Sequence, residues 1–418
     1  MSSEPLLATV ATAKPASLAP VPPAPAPTFA PVLTAMVYTR DRDAEGVIRQ
    51  CLTNLLPSAE FISGTVVNAI KQLAQRSSPR LLIVDVTGSG DPVAQIRSLA
   101  EVCEPGTGVI VIGDSNDIRL YRELRRAGIV DYFFKPLVTT LVTQAASGIL
   151  TGTVEQHASR TGRLVIVLGV RGGVGATTIA TSAAWYMAEK RQRRVALLDL
   201  DLYAGDAALQ LDAAPTHALC EALEHPERVD ELFLERAIIH VTERLSLLSS
   251  LENLNSPMVL GEESVLSLLD KLLRAYRYVF VDLPAEMAYR LPRVLHIPGI
   301  CLLVSGPSLV SARDVARWRE IIGPGSAERQ ILHILNKNGA PGGLPSAEFL
   351  RAASQAPDIT IPYDHNIAVA SSLGVKGVLG CATLQHGLAP LFSLMAGEAE
   401  EAPHSLFNRT LNRLLRRA

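Results

Sequence analysis

A glycine-rich segment at residues 169–178 has the residue types best suited to binding an anion. It reads Gly169-Val-Arg-Gly-Gly-Val-Gly-Ala-Thr-Thr178, after an apolar run and before an alanine-rich stretch. Glycines let successive backbone N–H groups face one anion, and the first turn of a following helix adds the positive end of its dipole. The segment therefore predicts a phosphate-binding loop, with these contributing residues: Arg171, Gly172, Gly173, Val174, Gly175, Ala176, Thr177 and Thr178.

The loop departs from the ordinary nucleotide-binding pattern at two positions. That pattern reads G-x-x-x-x-G-K-[ST], in which the lysine contacts the β- and γ-phosphates and the hydroxyl binds Mg²⁺. Val170 occupies the first glycine position and Ala176 the lysine position, whereas Thr177 supplies the hydroxyl. Taken alone, the segment leaves open a glycine turn that binds nothing.

Acidic residues follow the loop and its helix. The run Val195-Ala-Leu-Leu-Asp-Leu-Asp201 closes a predicted strand with Asp199 and Asp201, and Asp206 comes soon after them. If this strand lies beside the strand of the loop, both acids point near the phosphate. Helix capping by these acids is the alternative.

The loop resembles the deviant Walker A motif of the MinD/ParA family, which reads K-G-G-x-G-K-[ST]-[ST]. By this resemblance Arg171 falls on the signature lysine, which reaches phosphate across a nucleotide-sandwich dimer, and Thr177 falls on the Mg²⁺ hydroxyl. Arginine at 171 with alanine at 176 looks like the CpaE/TadZ branch, the assembly factors of Tad (Flp) pili. That branch also carries a receiver-like domain in front, so the resemblance covers nearly the whole chain.

The same resemblance implies roles for other polar residues. Asp199 and Asp201 match a D-x-D that supplies Mg²⁺-shell and water-orienting carboxylates, and Asp282 matches Walker B, near Mg²⁺ through water. Asn336 matches an adenine-recognising asparagine, and Pro362 lies in a segment that passes the base. The order of these motifs favours a nucleotide site over a bare glycine turn.

The family resemblance implies ATP (or ADP) with Mg²⁺, a homodimer formed through the nucleotide, and assembly or polar placement of a Tad-type pilus secretion system. Hydrolysis should be slow because the phosphate-binding lysine is missing. Two rivals stay open: a competent MinD-type ATPase in division-site or flagellar placement, and a phosphorylated response regulator with an ATPase-like output. A scaffold that has lost nucleotide binding is the remaining option.

The first part of the chain resembles a response-regulator receiver. Asp85 ends a strand where the phosphorylated aspartate would be, and Lys135-Pro136 matches the pair that carries the phosphate-contacting lysine. Two requirements are unmet: Thr39-Arg40 replaces the acidic pair that holds Mg²⁺, with Asp41 and Asp43 out of register, and Gly113 replaces a Ser or Thr. Phosphoryl transfer needs metal and positioning, so we expect a pseudo-receiver that serves in protein interaction.

Short apolar runs alternate with helix-like stretches in both parts of the chain, which predicts parallel sheets covered on both faces. The predicted fold class is α/β: a receiver-like (flavodoxin-like) domain followed by a MinD/ParA-like P-loop NTPase domain with a mostly parallel sheet. A predicted helix, Asp117–Ala127, ends at Gly128 as a C-cap should. The predicted strands are Leu33–Tyr38, Leu81–Asp85, Val109–Gly113, Asp131–Phe134, Leu164–Gly169, Arg194–Asp199, Leu245–Ser250, Tyr278–Asp282, Ile300–Ser305 and Ile331–Asn336.

Composition shifts set the expected boundaries. Residues 1–32 form a Pro/Ala-rich disordered spacer or partner ligand, 33–150 the receiver-like domain, 151–162 a linker, 163–396 the P-loop domain, and 397–418 a linker with a basic tail. In the tail, Ser405–Arg417 predicts an amphipathic helix with leucines on one side and arginines on the other. It is expected to contact an anionic membrane weakly, and a protein-packing helix is the alternative.

The totals constrain the setting. The 39 Lys and Arg nearly balance 41 Asp and Glu, so no nucleic-acid partner is indicated, and the Lys190–Arg194 cluster is expected to be a solvated face. Five dispersed cysteines predict neither a zinc site nor disulfides, which fits a reducing compartment. We expect neither a secretory signal nor a membrane-spanning helix. The expected location is cytoplasmic, at the inner membrane or a cell pole.

Overall fold

The computed structural model describes residues 35–56, 58–151, 162–252, 255, 260–353, 355–372 and 378–396. The predicted N-terminal spacer, the C-terminal tail and most of the predicted linker lie outside these residues. Among the described residues, no helix combines the length and the apolar character needed to cross a bilayer. Two sheets organise the described chain, and both belong to one compact unit.

The first sheet has five parallel strands in the order β2-β1-β3-β4-β5, the order of flavodoxin-like folds. Its strands are β1 (Ala35–Thr39), β2 (Glu60–Ser63), β3 (Leu81–Asp85), β4 (Gly108–Gly113) and β5 (Asp131–Phe134). Its helices are α1 (Arg42–Thr53), α2 (Val66–Leu73), α3 (Pro92–Val102), α4 (Ile118–Arg126) and α5 (Thr139–Thr151). Strand β2 was not predicted, because this edge strand is only partly buried and lacks a continuous apolar run.

The second sheet has eight strands in the order β13-β12-β11-β6-β10-β7-β9-β8, all parallel to their neighbours except β8. Its strands are β6 (Arg163–Gly169), β7 (Val195–Asp199), β8 (Ile239–His240), β9 (Leu245–Leu248), β10 (Tyr278–Leu283), β11 (Gly299–Ser305), β12 (Arg329–Asn338) and β13 (Ile359–Pro362). The α/β class with mostly parallel sheets is therefore confirmed. The short strands β8 and β13 were not predicted.

Helices and turns connect these strands. The helices are α6 (Ala176–Glu189), α7 (Ala207–Gln210), α8 (Ala218–Glu224), α9 (Glu231–Ala237), α10 (Glu262–Ala275), α11 (Ala285–Ala288), α12 (Leu309–Ile322), α13 (Ser346–Ala353), α14 (His365–Ser372), α15 (Ala382–Gly387) and α16 (Ala389–Ala396). Two single-turn 3₁₀ helices cover Pro226–Arg228 and Val294–His296.

Both faces of the second sheet are buried, as expected for parallel strands with crossover helices. Along β6, Leu164, Ile166 and Leu168 pack into one apolar layer, whereas Val165 and Val167 pack into the layer on the opposite face. This alternation explains why the strand is a continuous apolar run in the sequence. The buried apolar surface of such layers supplies most of the stability of the fold.

The strand order corrects one expectation about the site. The strand that ends in Asp199 is not a neighbour of β6, because β10 lies between β6 and β7. Asp282 is therefore on the strand next to that of the loop. The carboxyl ends of parallel strands share one edge of a sheet, so both acids still reach the end of β6.

Arg193, which precedes β7 of the second sheet, contacts the helices of the first sheet. The expectation that Lys190–Arg194 is a solvated face is therefore wrong at this residue. The Arg193 side chain is buried, and its guanidinium donates to the backbone oxygens of Leu73 at 2.7 Å, Val102 at 2.8 Å and Ala74 at 3.1 Å. These carbonyls end α2 and α3, where the negative end of the helix dipole favours a cation. Burial lowers the pKa of Arg193.

A second set of contacts surrounds Arg193. The Arg277 guanidinium donates to the backbone oxygen of Glu101 at 2.6 Å, and the backbone N–H of Arg194 donates to Glu104 Oε1 at 3.2 Å. Burial raises the pKa of Glu104, and the backbone N–H of Arg194 partly offsets the shift. Arg193, Arg194 and Arg277 thus meet the ends of α2 and α3 and two glutamates in a polar contact region, which we call the Arg193 joint.

Arg193→Met should destabilise the fold, because the apolar side chain leaves three buried carbonyl groups without a donor. Hydrogen bonds from a charged donor contribute about 1.5–3 kcal/mol each and are not additive, so we expect a loss of roughly 3 kcal/mol in the free energy of unfolding. Urea denaturation followed by circular dichroism measures it. The exposed Lys190 offers a control, since Lys190→Met should cost less than about 0.5 kcal/mol. Equal effects of the two changes would contradict the role of Arg193.

Candidate functional site

The glycine-rich loop connects the end of β6 to the first residue of α6. Gly173 and Gly175 have φ values of 77° and 88°, a left-handed backbone region that side chains rarely adopt. A Cβ at Gly175 would also lie 2.6 Å from Asn336 Nδ2. At Gly172 and Gly173 a Cβ would meet nothing within 4 Å, so this side of the loop is open. The loop thus has the open backbone and helix N-terminus that an anion requires.

Two side chains at the end of β12 brace the loop from outside. Asn336 Nδ2 donates to the Val174 backbone oxygen at 2.8 Å, and Lys337 Nζ donates to the Gly173 backbone oxygen at 2.7 Å. The backbone N–H of Lys337 donates in turn to Asn336 Oδ1 at 2.9 Å. These bonds fix two successive loop carbonyls toward β12, so the N–H groups of the same planar peptides, those of Val174 and Gly175, point away from β12.

Two carboxylates are buried at the ends of adjacent strands beside the loop. Asp199 and Asp282 are direct partners in the register of β7 and β10, and they are 0% and 4% exposed. Burial raises the pKa of Asp199 to about 7 and that of Asp282 to about 8, and the charge of Asp199 adds to the shift at Asp282. The Thr177 hydroxyl donates to Asp282. Two buried acids without a cation are thus driven toward their neutral forms.

This oxygen set fits part of a Mg²⁺ shell. Asp199 Oδ1 accepts from the Asp201 backbone N–H at 3.0 Å, but Asp199 Oδ2 is buried without a well-formed hydrogen bond. In the described part of the chain, no group of three or more His, Cys, Asp or Glu side chains is placed to hold a metal by itself. Mg²⁺ is commonly held by one or two carboxylates, with substrate phosphates and waters as its other ligands. Asp199, Asp282 and the Thr177 hydroxyl fit that mode.

The other two acids after β7 form a tight turn. Asp201 Oδ1 accepts from the Ala204 backbone N–H at 3.0 Å, and the Gly205 N–H donates to the Asp201 backbone oxygen at 2.9 Å. The Asp201 carboxylate thus stabilises its own turn and does not cap a helix, and Asp206, the N-cap residue of α7, makes no side-chain capping bond. Asp206 lies at the end of this turn and lines the same cavity as the loop.

Arg171 points to α12 rather than to the open face of the loop. Its Nε and Nη2 lie 3.2 and 3.1 Å from Asp314 Oδ2. Arg313 and Arg317 approach the other oxygen of Asp314, at 3.0 and 4.0 Å. Asp314 therefore keeps an arginine partner if Arg171 moves away to a phosphate, and such a move leaves no unpaired buried charge.

A cavity of about 1070 Å³ brings the predicted residues together. Its lining includes the whole loop from Arg171 to Thr178, with Asp201, Asp282, Asn336 and Pro362. Asp199 is not part of the lining, because it lies below the surface, behind the turn at 201–206. The cavity has the size expected of a site for a ligand as large as a nucleotide.

Sequence reasoning did not single out Lys337, Asp314 or Gln210, which line or support the cavity. Lys337 follows a buried strand directly, and this position at the carboxyl edge of the sheet was the available signal. Asp314 lies within an Arg-Asp-x-x-Arg run on α12, which is typical of a solvated helix face. Gln210 belongs to a four-residue helix that has no periodicity to detect.

The receiver-like site brings Asp85 and Lys135 together as predicted. Asp85 Oδ2 accepts from Lys135 Nζ and from the Thr39 hydroxyl, both at 2.8 Å. Asp41 Oδ2 also lies 3.0 Å from Lys135 Nζ, so this acid reaches the site although its sequence position is out of register. Burial raises the pKa of Asp85, but the hydrogen bonds from Lys135, Thr87 and Thr39 outweigh it and hold the pKa below its usual value.

Gly113 has no room for the Ser or Thr of an active receiver. A Cβ at Gly113 would lie 2.8 Å from the Tyr132 hydroxyl and 3.2 Å from Val86 Cγ2. The Tyr132 hydroxyl is held there because it donates to the Ser115 backbone oxygen at 2.7 Å. The space next to Gly113 is thus already filled.

Comparisons with known proteins find similarities over parts of the chain. No protein-family model matches the chain. It is 28% identical over 159 residues to the "Putative septum site-determining protein MinD" of Guillardia theta, which covers 37% of this chain and 56% of that relative. The chain thus spans about half the length of the curated relative it matches.

Three solved structures are also similar. A ParA family ATPase from Chlorobium tepidum TLS is 23% identical, covers 56% of this chain and 98% of its own, and has a TM-score of 0.49. The septum site-determining protein MinD complexed with Mg-ADP, from Pyrococcus horikoshii OT3, is 20% identical. The match covers 58% of this chain and 98% of that protein, with a TM-score of 0.42. The pilus assembly protein CpaE from Caulobacter crescentus CB15 is 30% identical. The match covers 28% of this chain and 94% of that protein, with a TM-score of 0.26.

Asp199→Asn should stabilise the protein without nucleotide at pH 8. A carboxyl whose pKa is higher in the folded chain makes folding less favourable as the pH rises from its unfolded value, 3.8, to its folded value. We therefore expect a gain on the order of 2 kcal/mol at pH 8, shrinking toward pH 4, in urea denaturation with EDTA. The exposed Glu221 on α8 provides a control, since Glu221→Gln should show no such pH dependence. A less stable Asp199→Asn protein at pH 8 would refute the assignment.

Asp85 should not accept a phosphoryl group, because both of its oxygens are bonded and the space beside Gly113 is filled. Beryllofluoride or a small phosphodonor with Mg²⁺ should leave the tyrosine fluorescence and the NMR amide spectrum unchanged. A saturable, Mg²⁺-dependent response that Asp85→Asn abolishes would overturn this prediction. Lys135→Met serves as a second variant, since it would remove any response that depends on this site.

Proposed function

We propose that the chain is an atypical MinD/ParA-like ATP-binding protein that acts as a nucleotide-dependent dimer. The observation that carries the proposal is the braced loop, which lines one cavity with Asp282, while Asp199 lies buried beside Asp282 on the neighbouring strand. Loop N–H groups supply the anion site, and Asp199, Asp282 and Thr177 supply oxygens for the cation that accompanies a nucleotide. Few ligands other than a Mg²⁺-bound nucleoside phosphate combine an anion and a hard cation in this arrangement.

The base would lie at the β12–β13 end of the cavity. Pro362 lines this end with Tyr363 and Ile367, an apolar surface suited to a flat ring. Asn336 bonds to the loop through one N–H of its amide and accepts from the Lys337 N–H through its oxygen, so its second N–H stays available to adenine. ATP or ADP is the expected ligand, with Asp201 as a water-orienting acid.

Turnover should be slow, because Ala176 provides no charge at the β- and γ-phosphates. Arg171 is the loop's own cation, and it must leave Asp314 to reach a phosphate of its own or of a partner. Its planar guanidinium can hold phosphate through two hydrogen bonds, which suits a contact across an interface. This exchange would link nucleotide binding to dimerisation.

The biological setting belongs to the same proposal. The arginine–alanine loop and the receiver-like first part are those expected of a CpaE/TadZ-type factor for Tad pilus assembly or polar placement. The partners would then be pilus or secretion proteins at the cytoplasmic face of the inner membrane. The predicted membrane-contacting tail, Ser405–Arg417, lies outside the described residues and stays a prediction.

Two variants should change nucleotide affinity and ATP-dependent dimerisation independently of each other. Mg-ATP calorimetry should show micromolar-range or weaker binding, and Ala176→Lys should tighten it about ten- to two-hundredfold by adding one charge-assisted hydrogen bond. Arg171→Ala should keep binding within about fivefold but abolish ATP-dependent dimers in sedimentation. Arg351→Ala, an exposed change on α13, is the control.

No heat at millimolar ATP would eliminate nucleotide binding and leave a scaffold. Unchanged dimers in Arg171→Ala would show that the signature position plays no part in assembly. Tight, rapidly hydrolysing wild-type protein would favour a competent MinD-type ATPase instead.

A further inference from the structure

A buried glutamine holds an acid at the edge of the nucleotide cavity. Gln210, 5% exposed, donates from Nε2 to Asp206 Oδ2 at 2.9 Å, while its Oε1 lies 2.9 Å from the Thr181 hydroxyl. An ionised carboxylate has no hydrogen to donate, so the amide NH₂ must face Asp206 and the amide oxygen must face Thr181. Thr181 is itself fixed on α6, four residues after Thr177, so Asp206 is tied to the helix that begins at the loop.

The core does not need a polar residue at position 210. The neighbours Ala207, Ala208 and Leu211 all belong to the apolar layer under α6. Burying an amide is unfavourable unless its hydrogen bonds are formed, and here the bonds of Gln210 serve to place Asp206. Because only Asp206 Oδ2 is used, Oδ1 has no hydrogen bond within the part of the chain that the structure describes.

The preceding turn brings Asp206 close to the buried acid pair. A Cβ at Gly205 would lie 2.4 Å from Asp199 Oδ2 and equally close to the Asp201 backbone oxygen, so the turn packs directly on Asp199. The charge of Asp206 contributes, after burial, to the raised pKa values of Asp199 and Asp282. Without a cation, the charge of Asp206 adds repulsion to the two buried acids. Its position is favourable once a cation and a polarised water occupy the cavity.

We propose that Asp206 is a further catalytic acid, which acts beside Asp201 and orients the attacking water through its free oxygen, and that Gln210 is the positioning residue that holds it. This inference rests on the proposed function. The water oxygen bonds to the γ-phosphorus, and the bond from that phosphorus to the bridging oxygen breaks with its electron pair leaving on ADP. ATP⁴⁻ and water thus give ADP³⁻, HPO₄²⁻ and one proton, which passes from the water through Asp206 to solvent.

Asp206→Asn and Gln210→Leu test these roles in the full-length protein. At saturating Mg-ATP, Asp206→Asn should lower the rate constant for phosphate release at least tenfold, since positioned acid–base groups contribute about 10²–10⁴-fold. Its dissociation constant for a fluorescent ATP analogue should stay within about twofold, and its ATP-dependent dimers should persist longer in sizing. Gln210→Leu should show a smaller loss of the same kind.

The double variant distinguishes positioning from general damage. If Gln210 acts through Asp206, adding Gln210→Leu to Asp206→Asn should lower the rate no further. Glu221→Gln, which removes one exposed acid outside the cavity, should match the wild type. If the rate of the double variant falls by the product of the two single-variant losses, the role of Gln210 is overturned. An unchanged rate in Asp206→Asn would overturn the role of Asp206. Wild-type protein that binds ATP without releasing phosphate would overturn the inference and leave the proposed function standing, whereas absent binding would remove both.

Discussion

The arrangement of the cavity at the glycine-rich loop depends on two carboxylates that are buried side by side. Asp199 and Asp282 end neighbouring strands in direct register, where water cannot screen their repulsion. A fold that only needed a stable core would place apolar residues there, since all the remaining positions of β7 and β10 are aliphatic or aromatic. The surrounding features, a loop of open N–H groups and a threonine hydroxyl bonded to Asp282, become favourable together only when a cation and an anion are both present. This complementarity is the physical reason for proposing a metal-bound anion rather than either ion alone.

The loss of the loop lysine changes how positive charge reaches that cavity. A lysine at position 176 would be fixed on α6 beside the phosphates. In this chain the basic groups come from outside the helix: Arg171 lies on the loop but pairs with α12, and Lys337 braces the loop through the Gly173 carbonyl. Charge supplied by a mobile arginine can be withdrawn or offered to a second molecule, which a helix-anchored lysine cannot do. In the proposed function, this arrangement is the reason to expect weak intrinsic nucleotide binding that depends on dimerisation.

The sequence was sufficient for the α/β class, because long apolar runs such as β6 and β11 are buried on both faces and cannot be confused with loops. It also located the loop, Asp199, Asp282 and Asn336, since these residues follow directly after such runs. The neighbours of β7 could not be deduced, because strand order depends on how the crossover helices pack and not on any local pattern. Arg193 was misjudged for a similar reason: four basic residues among five indicate a solvated face, and only the tertiary contact with α2 and α3 shows that one of them is buried. Gln210 and Asp314 act through partners far away in the sequence, which no spacing rule detects.

The Arg193 joint and the nucleotide cavity occupy opposite ends of the same elements. Helix α6 begins at the loop and ends just before Arg193; β7 follows Arg194 and ends at Asp199; β10 follows Arg277 and ends near Asp282. A fourteen-residue helix spans about 21 Å and a five-residue strand about 17 Å, so these rigid segments connect the two regions without an intervening loop. Because packed elements shift as units rather than deform continuously, movement of the loop end of α6 must be accommodated at the carbonyl ends of α2 and α3. The hydrogen bonds of Arg193 and Arg277 to the ends of α2 and α3 are thus direct contacts between the helices of the first sheet and the elements that end at the cavity.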